Sequence, residues 1–276
     1  MRIVTDTASL FSPVEGNMAG ISVVPTCVIE NDQVYRDYEE ITEEELLNLV
    51  AGGATPTTSQ PAIGDLMGVF EGTTEEILGL FIGDGLSGGY QTAMGAKNSI
   101  DENEHIHIID TRTLAGAEHY IVQKAIALRA QGLGIEAIKT ELMKSVEASA
   151  SFVIPADFEF LKRSGRLTPI AAKISSMIKI VPVMTQTEDM KKITLFTIKR
   201  SWKKATEAII EQLKKTGVDE NYAIYVCHAG NVKAGEEVLL QIKGRFENVT
   251  MELKCLSPSM MTHGGPGCVV VQAIKK

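Results

Sequence analysis

No stretch of this 276-residue chain approaches the ~20 consecutive apolar residues that crossing a bilayer requires. Met1-Arg2 leads straight into the strand-like Ile3-Val4 with no apolar signal core, so the cytoplasm is the expected compartment. Cysteine is scarce: Cys27, Cys227, Cys255 and Cys268 stand far apart with no C-x-x-C spacing, which argues against zinc and for buried free thiols. The phosphate-cradling pattern G-x-x-x-x-G-K-[ST] is missing, and with it a nucleoside triphosphate site of that kind. Positive charge is in deficit, at 27 Lys and Arg against 35 Asp and Glu, and the net −8 argues against a general nucleic-acid binder.

What is present is ordinary for a globular protein. Apolar residues make up 44% and charged residues 22%, enough to bury a core, and the length suits two small α/β domains or one large one. The charge is unevenly spread. From Lys162 to Lys204 eleven Lys and Arg face only Glu188 and Asp189, a local +9 that leaves −17 for the remainder. This basic face reads either as a solvated, salt-bridged surface or as a docking site for anionic lipid or an acidic partner.

The chain is organised around Leu78 to Tyr90. A continuous apolar run breaks into four glycines before a helix-compatible segment, Tyr90 to Asn98, which spells strand, tight loop, helix N-terminus. Such a loop leaves backbone N–H groups beside the positive end of a helix dipole, where an anionic head group is the natural occupant. Gly83 to Gly88 is also literally G-x-G-x-x-G, and the run His105 to Ile109 ends in Asp110, where a ribose-binding carboxylate belongs. A Rossmann-type dinucleotide-dependent oxidoreductase is therefore the alternative reading.

Elsewhere strand and helix alternate, which predicts a mainly parallel sheet with ligands beyond the carboxyl ends of its strands. Strands are expected at Arg2–Thr5, around Pro25, at Ser151–Ile154, Ile178–Met184, Ile193–Ile198, Ala223–Cys227, Val249–Leu253 and Val269–Ile274. Helices are expected at Glu43–Val50, Leu114–Ala130, Ile135–Ser149, Ser201–Lys214 and Val232–Ile242. Between Glu30 and Glu45 lie eight acidic residues, but Thr42-Glu43-Glu44-Glu45 is a capping box, so dipole chemistry explains several of them. A border at Pro155-Ala156 divides the chain into 1–156 and 157–276.

Three further segments carry candidate site residues. Thr57-Thr58-Ser59-Gln60-Pro61 places hydroxyls before a helix expected from Pro61 to about Gly72, either as a cap or facing a ligand. Arg166 follows a flexible Ser164-Gly165 turn and can aim a planar donor fork at a carboxylate or phosphate. A helix is expected from Pro169 to Ile180, with Ile170, Ile174, Met177 and Ile178 on one stripe. His263, framed by Gly264-Gly265-Pro266-Gly267, is a better site candidate than His105, His107, His119 or His228.

Six motifs, in order, resemble the DegV family of bacterial fatty-acid-binding proteins, of which the FakB carrier subunit of fatty acid kinase is the best understood group. They are Thr5-Asp6-Thr7, Thr58-Ser59-Gln60-Pro61, Leu86-Ser87-Gly88-Gly89-Tyr90, Ile109-Asp110-Thr111, Ser164-Gly165-Arg166 and His263-Gly264-Gly265-Pro266-Gly267. Gly89 replaces the family's threonine, and Ser164 replaces the first glycine of the arginine turn.

The resemblance implies two α/β domains with a fatty-acid tunnel between them. It places carboxylate ligands on Thr58, Ser87 and His263, with Arg166 near the head group and Ser59, Gly88 and Gly264 as neighbours. It implies no cofactor and no catalysis by the chain itself. By the same resemblance, a separate ATP-dependent kinase is expected to phosphorylate the presented carboxylate, and the acyl phosphate to go on to an acyltransferase of phospholipid synthesis. Transient contact with an anionic membrane is the expectation drawn from the basic stretch.

Overall fold

Apolar runs without polar alternation must be covered on both faces, and Ile77 to Phe81 is buried at every position. The computed structural model describes residues 1–174 and 180–276. The chain opens with β1 (Arg2–Asp6), a 3-10 turn (Thr7–Ser9), α1 (Pro13–Met18), β2 (Ser22–Val24), β3 (Cys27–Glu30) and β4 (Gln33–Arg36). It continues through α2 (Glu43–Ala51), β5 (Thr57–Ser59), α3 (Ile63–Phe70), β6 (Ile77–Phe81), α4 (Gly89–Asn98), β7 (Ile106–Asp110), α5 (Ala115–Ala130) and α6 (Ile135–Glu147). Then follow β8 (Ser149–Ile154), α7 (Phe158–Arg163), a 3-10 turn (Ala171–Lys173), β9 (Val181–Gln186), β10 (Ile193–Lys199) and α8 (Trp202–Lys215). The chain closes with β11 (Tyr222–His228), α9 (Val232–Lys243), β12 (Thr250–Cys255), α10 (Pro258–Gly264) and β13 (Val269–Lys275).

Among the described residues the strands form three sheets, ordered β2-β1-β6-β7, β10-β9-β8-β13-β11-β12 and β4-β3-β5. The first is parallel throughout, as the alternating pattern predicts. In the second only β11–β12, joined across α9, is parallel. Its other pairs, β10–β9, β9–β8, β8–β13 and β13–β11, are antiparallel. For β10–β9 the cause is connection length: residues 187–192 between them are too few for a crossover and make a hairpin.

The layers follow from strand alternation. Val4, Ile77 and Phe81 pack one face of the first sheet on Leu66 and Phe70 of α3 and Ala93 and Ala96 of α4. Ile3, Leu78 and Leu80 turn the other way, onto α5 and α6, which also receive Tyr225, Val270 and Ile274 from the second sheet. Buried between two sheets, α5 needs an apolar surface on more than one side, and Ala117, Ile121, Val122 and Ala125 supply it. Ile224, Val226, Val269 and Val271 face outward onto α8 and α9. Strand β8, which the division at residue 156 assigns to the first half, pairs with β13 and β9 of the second sheet.

Several local expectations acquire geometry. The Thr42 hydroxyl accepts the Glu45 N–H at 3.3 Å while Glu45 Oε2 accepts the Thr42 N–H at 2.8 Å, the reciprocal capping box of α2. Pro61 does not start α3: its N-cap is Ala62, with no side-chain bond, and Thr58 and Ser59 lie on β5 instead. The hairpin β3–β4 turns through Asn31 and Asp32, both at positive φ (49° and 64°). Of the helix expected from Pro169 to Ile180, the described part is one 3-10 turn closed by Ile174 in extended backbone. Met177, Ile178 and Lys179 lie outside the described residues.

Candidate functional site

His263 is carried in the last turn of α10, a helix absent from those expected from the sequence. The signals for it were there: Ser257 accepts the Met260 N–H at 3.3 Å as N-cap, Pro258 takes the first helical position, and Gly265 (φ 78°) ends the helix. Gly265 has a second reason to lack a side chain, since a Cβ there would sit 2.7 Å from the Phe160 ring of α7. His263 Nε2 lies 2.7 Å from Thr58 Oγ1 of β5, a contact spanning 205 residues of sequence. Burial, with the positive charge of Arg166 adding to it, pushes the imidazole pKa down to about 3. The ring is therefore neutral near pH 7.

Arg166 lies beyond the C-terminus of α7. Ser164 closes that helix by donating its hydroxyl to Leu161 O (2.6 Å) and accepts the Arg166 N–H at 3.2 Å. A serine thus serves in place of the family's glycine, because Ser164 has ordinary helical backbone (φ −60°) and only Gly165 (φ 73°) is left-handed. The guanidinium donates through Nε to Leu86 O at 3.0 Å and through an Nη to Ser164 O. Burial lowers its pKa. Among the described residues no carboxylate lies within salt-bridge distance of it, so a half-buried cation keeps donors to spare.

The glycine loop approaches the same place. Leu86 is buried and Ser87 Oγ accepts the Gly89 N–H at 3.3 Å. Gly88 is the N-cap of α4, which no side chain caps, and a Cβ on it would lie 3.1 Å from Gln60 Oε1. Gln60 thus packs the Thr-Ser-Gln-Pro segment against the Ser-Gly-Gly loop. Gly89 is hemmed in by Asp6, whose Oδ2 lies 2.9 Å from where a Cβ would stand and is buried with no hydrogen-bond partner among the described residues. Burial raises the Asp6 pKa to about 7. A threonine at position 89 would have to displace that carboxyl.

Two cavities meet at this constellation. An internal one of about 70 Å³ between the sheets is lined by Ile82, Leu86, Leu114, Val153, Leu256 and Val270, with Arg166, His263 and Gly264 at its polar end. An outer cleft of about 270 Å³ is lined by Thr55 to Thr58, Phe160 and Arg163 and shares Ser164, Arg166 and His263 with the inner cavity. A group held there has an apolar interior behind it and an opening in front. A wider surface groove of about 860 Å³ beside β3, β4 and α2 contains none of the expected site residues.

The structure thus brings Thr58, Arg166, His263 and Gly264 to one junction, with Ser87 and Gly88 next to Leu86 on its edge. Ser59 is separate: next to Thr58 on a strand it faces the other way, toward the Cys27 thiol. Phe160 and Arg163 were missed by the sequence reading; Arg163 lies over the Phe160 ring at 4.5 Å, a pairing no motif announces. Asp110 is taken up locally, accepting from the backbone of Asp84 (3.1 Å) and Arg112 (2.8 Å). The Gly83–Gly88 loop is crowded from outside, with Lys191 2.8 Å from the Cβ position of Gly85. His119 is structural, stacked on Phe11 at 4.3 Å and bonded through Nδ1 to Ser9 O at 3.0 Å.

The family model described as "Uncharacterised protein, DegV family" matches residues 1–276. The chain belongs to the DegV family. A DegV domain-containing protein of Listeria monocytogenes is 29% identical over 275 residues, covering 98% of this chain and 96% of that one. A DegV family protein from Thermus thermophilus, described as binding fatty acid, superposes with a TM-score of 0.89 at 27% identity over the whole of both chains. DegV from Bacillus subtilis, described as a fatty acid binding protein, shares the fold with a TM-score of 0.86 at 24% identity, over 100% of this chain and 99% of that one. The α/β architecture is therefore the DegV fold.

Proposed function

We propose that the protein binds a long-chain fatty acid, with the acyl chain in the cavity between the sheets and the carboxylate at the Thr58–Arg166–His263 junction. One observation carries the reading: an apolar cavity ends at a half-buried arginine that has no carboxylate partner among the described residues. Arg166 supplies the charge, the neutral His263 and the hydroxyls of Thr58 and Ser87 supply hydrogen bonds, and Gly88 offers backbone N–H at the start of α4. The description of the Thermus thermophilus relative as a fatty-acid binder supports the ligand class.

Energetics divide the labour. About fourteen methylenes at ~0.8 kcal/mol each give on the order of 11 kcal/mol relative to water. A bilayer offers nearly the same environment, so the tail alone favours neither side. Charge-assisted hydrogen bonds at ~1.5–3 kcal/mol each then decide loading. A cavity of about 70 Å³ holds a handful of waters, so a long chain enters only as the cavity widens.

The chain acts in this reading as a cytoplasmic carrier without catalysis or a cofactor of its own, presenting the carboxylate through the outer cleft to a separate ATP-dependent kinase. Exchange takes place at an anionic membrane, where exposed Lys173 beside Ile170, 80% exposed, forms the contact. Among the described residues no helix is long and apolar enough to cross a membrane. The test is native mass spectrometry of the protein purified from a bacterial host. A retained long-chain fatty acid at near one per chain is expected; stoichiometric nicotinamide or flavin dinucleotide overturns the reading.

A further inference from the structure

Asp37 has no part in the head-group constellation, yet its carboxylate is fully buried and bonded from two sides. Oδ2 accepts from Ser259 Oγ at 2.6 Å and from Thr26 Oγ1 at 3.1 Å, and Oδ1 accepts the Ser259 N–H at 3.2 Å. The Asp37 N–H also donates to Thr26 O at 2.9 Å. Thr26 is anchored further by Thr7, whose Oγ1 accepts the Thr26 N–H at 3.1 Å and lies 2.8 Å from its hydroxyl. Among the described residues no Lys or Arg forms an ion pair with Asp37, and the acid nearby is Asp6, a group of like kind.

Each partner leads into the site. Thr26 immediately precedes β3, and Val28 of β3 stands opposite Thr58 in the ladder to β5. Ser259 is the second residue of α10, and His263 follows four residues later, on the same face of that helix. One carboxylate therefore ties α10, which carries His263, to the start of β3, the strand that pairs with Thr58's β5, behind the 2.7 Å Thr58–His263 contact. A carboxylate buried without a cation is costly, and packing alone can hold a short helix in place. What the accepted bonds add is direction: the two from Ser259 fix α10 in rotation and along its axis, and the one from Thr26 holds the carboxylate in place before β3.

We propose that Asp37 is a positioning residue that sets the Thr58–His263 geometry and thereby the affinity of the site for a fatty-acid carboxylate. The ligand part of this rests on the function proposed above. The experiment compares Asp37→Asn, Ser259→Ala and His263→Ala, and each of the first two combined with the third. Readouts are palmitate affinity by calorimetry, the melting temperature, and the His263 imidazole resonances without ligand. Asp37→Asn keeps the size of the side chain but removes its charge, and an amide nitrogen in the place of Oδ2 forces the Ser259 and Thr26 hydroxyls to turn from donors into acceptors.

The expected results are a shifted His263 resonance, palmitate binding weakened roughly tenfold, and little further loss when the change is made on top of His263→Ala. Unchanged His263 resonances in folded Asp37→Asn, or losses that multiply with that of His263→Ala, overturn the proposal. Should Asp37→Asn fail to fold, Ser259→Ala, which removes one hydroxyl and keeps the backbone bond, is expected to show the same pattern at smaller amplitude, and a wild-type His263 signal in it overturns the proposal equally. If His263→Ala binds palmitate like wild type, the head-group assignment falls, while the ligand-free resonances still decide the role of Asp37.

Discussion

Replacing Arg166 by methionine separates binding from stability. Among the described residues the guanidinium, half-buried in the unliganded protein, is bonded only to the Leu86 and Ser164 carbonyls and lacks a carboxylate partner. Its removal relieves a desolvated charge but leaves two carbonyls short of a donor, opposing effects of about 1–3 kcal/mol each, so folding stability should move by no more than about 1 kcal/mol. Binding has no such compensation. A charge-assisted hydrogen bond of ~1.5–3 kcal/mol lost from the carboxylate weakens affinity by roughly 10- to 150-fold. Calorimetric titration of palmitate into Arg166→Met, with urea unfolding of the unliganded protein, measures both quantities. Arg166→Lys should recover part of the affinity, since it restores the charge but not the fork. Palmitate affinity within threefold of wild type in a folded Arg166→Met protein refutes the reasoning; so does a stability loss above about 3 kcal/mol, which marks the arginine as structural.

Three other perturbations have signed outcomes. The His263 pKa is held near 3, below its unfolded value, so its contribution to stability is present above about 6.5 and lost as pH falls toward 3; bound carboxylate should raise the pKa, and an imidazole titration that palmitate leaves unmoved speaks against contact. Asp6, raised from 3.8 to about 7, binds its proton more tightly when folded, so its contribution is fully present below about 4 and is lost as pH rises through 7. Asp6→Asn should flatten that decline by at most about 4 kcal/mol, and unfolding curves at pH 4 and pH 8 that keep the wild-type difference contradict it. Transfer of fatty acid from liposomes should accelerate with anionic lipid, slow with salt, and drop in Lys173→Glu/Lys179→Glu; indifference to all three assigns the basic stretch to another partner.

The first sheet was legible because each of its features is local. The run Ile77–Phe81, the glycines and the helix Gly89–Asn98 declare strand, loop and helix within about twenty residues of sequence. The second sheet was not, because β13 enters between β8 and β11 from the far end of the chain, and alternation alone does not fix strand direction. The candidate site was legible as residue types but not as contacts. Thr58 and His263 are 205 residues apart in sequence and 2.7 Å apart in space. Asp37 was hidden by company: it stands among acids that helix-dipole chemistry explains, which is correct for Glu45 and insufficient for a carboxylate buried against Ser259. α10 was absent from the expected helices because the glycines at its end drew more notice than the Ser257-Pro258 start.

The central claim is that a fatty-acid carboxylate sits beside Arg166 and His263, and the carboxyl carbon can report on it directly. Palmitate labelled with ¹³C at the carboxyl, bound at one equivalent and followed by NMR from pH 8 to pH 4, should give one resonance distinct from that of palmitate in vesicles. That resonance should stay at its ionised position well below the pH at which vesicle-bound palmitate protonates, and it should move in both Arg166→Met and His263→Ala. No protein-bound resonance, or one that titrates like palmitate in vesicles and ignores both substitutions, contradicts the account.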